Sequence, residues 1–535
     1  MPTAESFDFD HLVVGSGFGG SVSACRLAEK GYSVGVVEMG KRWSASDFPK
    51  STWNLRRWIW RPGMKLHGFY NMRPFRHVMI LCGNAVGGGS ITYANTMLVP
   101  PESVWNEGAW KGLAPWAAEM KPHYATARRM LGVTENQILG EADDMLKAMA
   151  EDQGVGASFY RTDVAVYFGE KGVEKPDPYF GGEGPARSGC IGCGGCMVGC
   201  RFNAKNTLDK NYLYLAERRG AKVMAETRVV DLEPLGEAGR DGYRVTIERS
   251  TAWFAKQRRT LTARHVVLAA SALGTMDLLM RLKLKGRLPA LSDRLGHDVR
   301  TNSESIVGVR FPGKQRDMSK GIAIGSGIHI DQFTHIEAVR YSRGSDVLGL
   351  IATLLVTGNG WKRIFGWMWN AIRHPIKFAR ASWPFGFARQ TLIFLVMQTI
   401  DATLRFRLKR RWYWPFTRLL VTEGQRIPTN IPAANEFALR AAKAFGGIAI
   451  TSSSEILFDM PMTAHCIGGC VMGATSAEGV IDHQHRVHGY DNLYVIDGSA
   501  IGANLGVNPS FTITALAERA MTFIPPKDQS QRTTP

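Results

Sequence analysis

A glycine-rich turn between two short apolar strands constrains this chain more than any other feature. His11 to Val14 reads as a buried strand and Gly15-Ser16-Gly17-Phe18-Gly19-Gly20 as the turn. A helix follows from Ser21 to Lys30, closed by Gly31, and a second strand from Ser33 to Val37 ends at Glu38. In such a βαβ unit Gly15 makes the tight turn, Gly17 admits a diphosphate to the backbone, and Gly20 lets helix and strand pack closely. The helix start offers free N–H groups and partial positive charge to the anion. An acid placed as Glu38 is suits a ribose hydroxyl. The unit predicts an α/β fold with a doubly wound, Rossmann-like dinucleotide layer, and does not by itself separate NAD from FAD.

Two further segments extend the same theme. Residues 83–97, GNAVGGGSITYANTM, hold three consecutive glycines that let backbone lie against a flat ligand. Near the other end, Asn492 to Asp497 reads as a buried strand leading into Gly498-Ser499. Gly506-Val507-Asn508-Pro509 then opens a helix from Ser510 to Met521, a second helix start that can face an anion or an electron-rich ring.

Taken together with AASALGT at 269–275, these segments resemble the glucose-methanol-choline (GMC) oxidoreductase family. Within it, HCIGGCVMG at 465–473, TLDKNYL at 207–213 and GVNPSFTITALAER at 506–519 are most similar to the bacterial cholesterol oxidases. The stretch of about 310–450 is similar only to their divergent mycobacterial-type members. The resemblance implies FAD held by Gly15, Gly17, Phe18, Gly20, Glu38, Gly83, Gly87, Gly88, Gly89, Ser90, Asn95, Asp497, Gly498, Asn508 and Pro509. It implies an FAD domain of segments 1–100, 190–300 and 455–535, interleaved with an α+β substrate-binding cap of 101–189 and 301–454. The expected activity is oxidation of a 3β-hydroxysteroid, cholesterol-like, to the ketone. A GMC dehydrogenase of another bulky lipophilic alcohol is the alternative, and a flavin-dependent lipid lyase is the rival from a different class.

His465 and Asn508 are the expected catalytic pair. An imidazole titrates near neutrality and can take the alcohol proton, and such a base contributes about 10²–10⁴-fold. An amide at a helix start can fix the oxygen for hydride transfer. The resemblance also implies a carboxylate that moves a ring double bond; Glu304, in TNSES, is one candidate, against its reading as a solvated or strand-end acid.

Eight cysteines are present, four of them within eleven residues: Cys190, Cys193, Cys196 and Cys200. Their C-x2-C-x2-C-x3-C spacing is that of bacterial ferredoxins. The run is read as an iron–sulfur site, with zinc or free structural thiols as the other readings. A cluster would favour an external redox carrier over O2 as electron acceptor.

The charge is unusual, with 65 Lys and Arg against 47 Asp and Glu, a net +18. It concentrates in Trp53–Arg61 and in Trp361–Arg418, interleaved with tryptophans and with Asp401 the one acid in the longer stretch. Cations mixed with aromatic rings suit the headgroup layer of a bilayer. No nucleic-acid motif accompanies them, and a lid of helices packed on the substrate cavity with a solvated basic face is the other reading. The longest apolar runs, Val347–Val356 and Leu392–Met397, are shorter than the ~20 residues of a spanning helix. An acidic N-terminus running straight into a strand leaves no room for a signal peptide. The expectation is a cytoplasmic protein, peripheral on the inner face of the membrane. The last residues, Pro526–Pro535, read as a polar tail.

Overall fold

In the computed structural model, residues 7–530 are described apart from Lys314, Tyr413 and Arg426; the first six residues and the second half of the expected polar tail, 531–535, lie outside them. The segment Phe9–Val14 (β1) becomes an inner strand of a seven-stranded sheet. It pairs in parallel with Val34–Val37 (β2) on one side and Arg259–Leu268 on the other. Lys222–Met224 extends the sheet beyond β2, and Leu493–Val495 joins Arg259–Leu268, both in parallel. Tyr243–Arg249 and Thr227–Pro234 add antiparallel strands. Leu12 and Val13 are fully buried, as a central parallel strand covered on both faces requires.

The first helix, Phe18–Glu29 (α1), begins three residues earlier than the sequence reading placed it, with Gly17 as its cap residue. The glycines are themselves the first turn, because no Cβ stands between that turn and the strands beneath it. At Gly15, where φ is +101°, an added Cβ would lie 2.3 Å from the Ala269 carbonyl oxygen.

The second sheet is antiparallel and seven-stranded. Its order is Ala352–Leu354, Ile448–Ser452, Ser305–Arg310, Thr391–Gln398, Thr334–Val339, Ile324–His329 and Tyr160–Arg161. Alternation sorts its side chains onto two faces. Val307, Val309, Ile336, Ala338, Phe394 and Val396 pack against the helices Glu141–Asp152 and Pro432–Phe445. Ile306, Val339, Ile393 and Ile450 point the other way and wall a cavity. The run Leu392–Met397 is thus an inner strand of this sheet.

The basic stretch divides into the helices Gly360–Arg373 and Pro375–Ser382, one of those inner strands, and a hairpin of Leu404–Arg411 with Trp414–Gly424. Its acid, Asp401, pairs with Arg300 (Nε to Oδ1 2.6 Å). Among the described residues, no helix is long and apolar enough to cross a membrane.

Candidate active site

One continuous cavity of about 930 Å³ runs from the glycine turn of α1 to the inner face of the second sheet. At its first end, α1 starts with no side chain capping its free N–H groups. A Cβ added at Gly17 would meet no atom within 4 Å, so the backbone there faces open space. Gly88 closes on it from the opposite side, where an added Cβ would sit 2.6 Å from the Gly17 Cα. This bare trough with orphan donors fits the diphosphate of FAD. Glu38, buried beside it, accepts from Ser16 N (3.1 Å), Ser16 Oγ (2.7 Å) and Gly40 N (2.7 Å). Burial raises its carboxyl above the usual range despite these donors.

Gly15, Gly17, Phe18, Glu38, Gly83, Gly88, Gly89, Asp497, Gly498, His465, Asn508 and Pro509 all line the cavity. Gly20, Gly87, Ser90 and Asn95 stand behind it. Gly20 touches the Gly15 carbonyl, and Ser90 Oγ donates to Gly87 O (2.6 Å) and accepts from Leu208 N (3.0 Å). Asn95 is a buried residue with φ +63°. Asp497 turns to Thr275 Oγ1 (2.6 Å) and Ser499 N (2.8 Å). The helix Ser510–Thr522 also starts uncapped, with Pro509 and Ser510 at the cavity wall. Its positive end faces the space where trough and apolar vault meet.

His465 and Asn508 come together at that junction. Asn508 Nδ2 lies 3.4 Å from His465 Nε2 and 3.4 Å from Glu337 Oε2. The carboxylate of Glu304 pairs with His465 Nδ1. Asn302 Nδ2 lies 3.3 Å from the same nitrogen and donates to Val507 O at 2.7 Å, tying the imidazole to the loop that carries Asn508. Burial works to lower the His465 pKa, but Glu304, with Glu337 behind it, lifts it above the ordinary value. A proton held on Nδ1 by Glu304 leaves the Nε2 lone pair free for an alcohol.

Glu304 is therefore no solvated acid: it is 2% exposed and part of the cavity wall. Sequence reasoning missed Glu337 and Asn302. Glu337 is fully buried on Thr334–Val339, and burial pushes its carboxyl up to about 7. Its one visible signal is an acid inside the otherwise apolar alternation Ile336-Glu337-Ala338-Val339.

Among the described residues, no three His, Cys, Asp or Glu side chains are grouped so as to hold a metal ion. All eight cysteines are free. Cys190, Cys196 and Cys200 pack instead on Val164, Val166, Ala204 and Ile322. Burial pushes the Cys190 thiol up to about 12 and raises Cys193 and Cys196 as well. For Cys200 burial acts in the same direction, but Lys210 and nearby backbone N–H groups outweigh it. This packing suits structural thiols, and no electron path is drawn through the run. Its neighbour Met197 lines the cavity.

Comparison with known proteins agrees with this architecture. The GMC oxidoreductase family matches at residues 186–297 and 430–517, and an NAD(P)-binding Rossmann-like domain at 13–48. The chain is 62% identical over 532 residues to a cholesterol oxidase of Acinetobacter baumannii, covering 98% of this chain and 96% of the relative. It is 45% identical over 549 residues to a cholesterol oxidase of Mycobacterium tuberculosis, covering 99% and 93%. A long-chain-alcohol oxidase of Arabidopsis thaliana is more distant, at 24% identity over 95% of this chain and 66% of the relative. Among solved structures, pyridoxine 4-oxidase from Mesorbium loti shares the fold with a TM-score of 0.60 at 14% identity, covering 96% of this chain and 98% of that one. A fungal aryl-alcohol oxidase does so with 0.60 at 12%, covering 97% and 98%. With its flavin trough, its interleaved second sheet and these near full-length relatives, the chain belongs to the GMC oxidoreductase family and is an FAD-dependent alcohol oxidoreductase.

Proposed function

We propose that this chain oxidises the 3β-hydroxyl of a cholesterol-like sterol to the ketone, with O2 as the electron acceptor, and draws the sterol from a membrane surface. The observation that carries the reading is the single cavity in which His465 and Asn508 stand between a dinucleotide trough and an apolar vault. Ile306, Ile324, Val339, Leu348, Phe387 and Ile393 wall that vault, a surface suited to fused hydrocarbon rings. The near relatives are named cholesterol oxidases.

FAD bound along the trough supplies the acceptor for the carbinol hydride. The chain's own residues position and deprotonate the alcohol. Asn508 Nδ2 donates to the substrate oxygen, which sits between the amide and the imidazole. His465 Nε2 takes the hydroxyl proton, and the Glu304 carboxylate stabilises the imidazolium that results. Asn302 holds the two catalytic segments in register.

A second activity rests on Glu337. Its carboxyl, raised to about 7 by burial, can both accept and return a proton near neutral pH, as migration of a ring double bond requires. Glu304, engaged with the imidazole, is less suited to that task.

The membrane reading rests on a lid formed by the helices Gly360–Arg373 and Pro375–Ser382. Trp361, Phe365, Trp369, Ile372 and Ile376 are exposed on the two lid helices, among Lys362, Arg373, Lys377 and Arg380. Arg363 points inward instead and bonds Val356 O (2.9 Å), beside buried Glu455. The helix Pro375–Ser382 packs against the turn Val347–Ile351, which bears Leu348 and Ile351 of the cavity wall. Product analysis tests the whole proposal: incubation with cholesterol should yield the 3-ketosteroid and hydrogen peroxide. Turnover of long-chain primary alcohols with none of the sterol would overturn it.

A further inference from the structure

Beside the lid the surface holds a second hollow, of about 510 Å³, that the alcohol chemistry does not use. Its walls are the segment Ala45–Arg57 and Arg201, and its polar groups are Ser46, Lys50, Ser51, Asn54, Arg57 and Arg201. Three cations converge on it and no Asp or Glu lines it. Asp47, in the same segment, turns its carboxylate to Ser44 N at 3.0 Å and Ser44 Oγ at 2.5 Å, and Arg57 meets its backbone carbonyl at 3.2 Å. Buried Phe48 and Pro49 form the floor.

The hollow is fixed to the segments on either side of the lid helices. Thr52 Oγ1 accepts from Val347 N at 3.2 Å, joining the segment to the loop of the cavity wall. Trp53 stacks on Phe385 with ring centres 5.7 Å apart. Trp53 (40% exposed) and Leu55 (42%) stand in the segment that forms the rim, next to Phe385 (58%) and Trp383 (59%). A basic hollow is thus rimmed by apolar side chains continuous with the proposed docking face.

We infer that this hollow binds the phosphate headgroup of an anionic phospholipid in the membrane from which the sterol is drawn. Two guanidinium forks, an ammonium and two hydroxyls suit a phosphate's oxygens. Free phosphate shares that chemistry, but the rim of Trp53 and Leu55 gives acyl chains a surface that a free ion has no use for. The inference rests on the membrane reading above and assigns its headgroup preference to Lys50, Arg57 and Arg201.

Co-sedimentation of the flavin-loaded full chain with vesicles tests it, comparing phosphatidylcholine alone with phosphatidylcholine containing phosphatidylglycerol. Wild type should partition more strongly onto the anionic vesicles. Arg57→Ala/Arg201→Ala should lose that preference by about fivefold per cation removed, with unchanged binding to neutral vesicles and an unchanged thermal midpoint. Lys377→Ala/Arg380→Ala, on the lid, should lose less of it. Equal loss from both pairs would make the attraction a diffuse charge effect and overturn the site. So would an Arg57→Ala/Arg201→Ala protein that keeps the wild-type preference. Inorganic phosphate is the second probe: stabilisation of wild type but not of the double variant, without any phosphatidylglycerol preference, would replace the lipid by a soluble anion. Wild type that binds neither vesicle removes the docking reading itself, a result distinct from the others.

Discussion

The carboxylate of Glu304 closes on Nδ1 of His465 while Nε2 of the same ring faces Asn508. In the proposed mechanism this arrangement sets both the tautomer of His465 and the direction in which it accepts a proton. It predicts that Glu304→Gln lowers kcat by roughly 10–100-fold while leaving bound flavin unchanged. Because Glu304 raises the His465 pKa, and the neutral imidazole is the active form, the acidic limb of the kcat/KM profile should move to lower pH in the variant. A limb that stays in place would separate Glu304 from the base.

Glu337 should separate the two activities. In Glu337→Gln the hydroxyl is still oxidised, but migration of the double bond should fall by about 10² or more, so the unrearranged ketone accumulates. In wild type that migration should rise through pH about 7, where the buried carboxyl ionises. Ultraviolet absorbance of the conjugated product follows it directly.

Gly17 offers a test of the trough that does not disturb the fold. Its φ is −73° and an added Cβ meets nothing within 4 Å, so Gly17→Ala should leave the thermal midpoint of flavin-free protein unchanged. The methyl group would nevertheless occupy the space expected for the diphosphate, and overpacking by one methyl group costs about 1–3 kcal/mol. Flavin affinity should fall at least fivefold, read by titration of flavin-free protein. An unchanged affinity would place the cofactor elsewhere.

Acid should destabilise the chain through its buried histidines. Burial lowers His265 and His485 to about 4 and His11 well below its usual value. A histidine whose folded pKa lies below the unfolded value near 6.5 takes up its proton preferentially on unfolding. Stability is therefore fully present above about pH 6.5 and declines as pH falls towards 4. Thermal midpoints measured across that window should drop steadily. A flat profile would contradict the assigned burial.

The local features of this chain were legible because each is complete within a few residues. The glycine turn, the acid at Glu38 and the strand at Leu493–Val495 need no distant partner to be recognised. His465 and Asn508 were legible through motifs, although their meeting depends on the chain folding back across a separation of 43 positions. Glu337 was not, because its role depends on which face of Thr334–Val339 is covered, and only the sheet register decides that. Ser90 and Asn95 lie in the right loop but behind its cavity face, since the loop turns at Gly87 and Gly88.

The central claim is tested most directly by mixing anaerobic, flavin-loaded enzyme with cholesterol and following the flavin absorbance. Rapid bleaching in wild type, slowed by about 10² or more in His465→Ala, is the predicted result. Flavin that dithionite still reduces but cholesterol does not would contradict the sterol assignment, and bleaching undiminished in His465→Ala would contradict the mechanism.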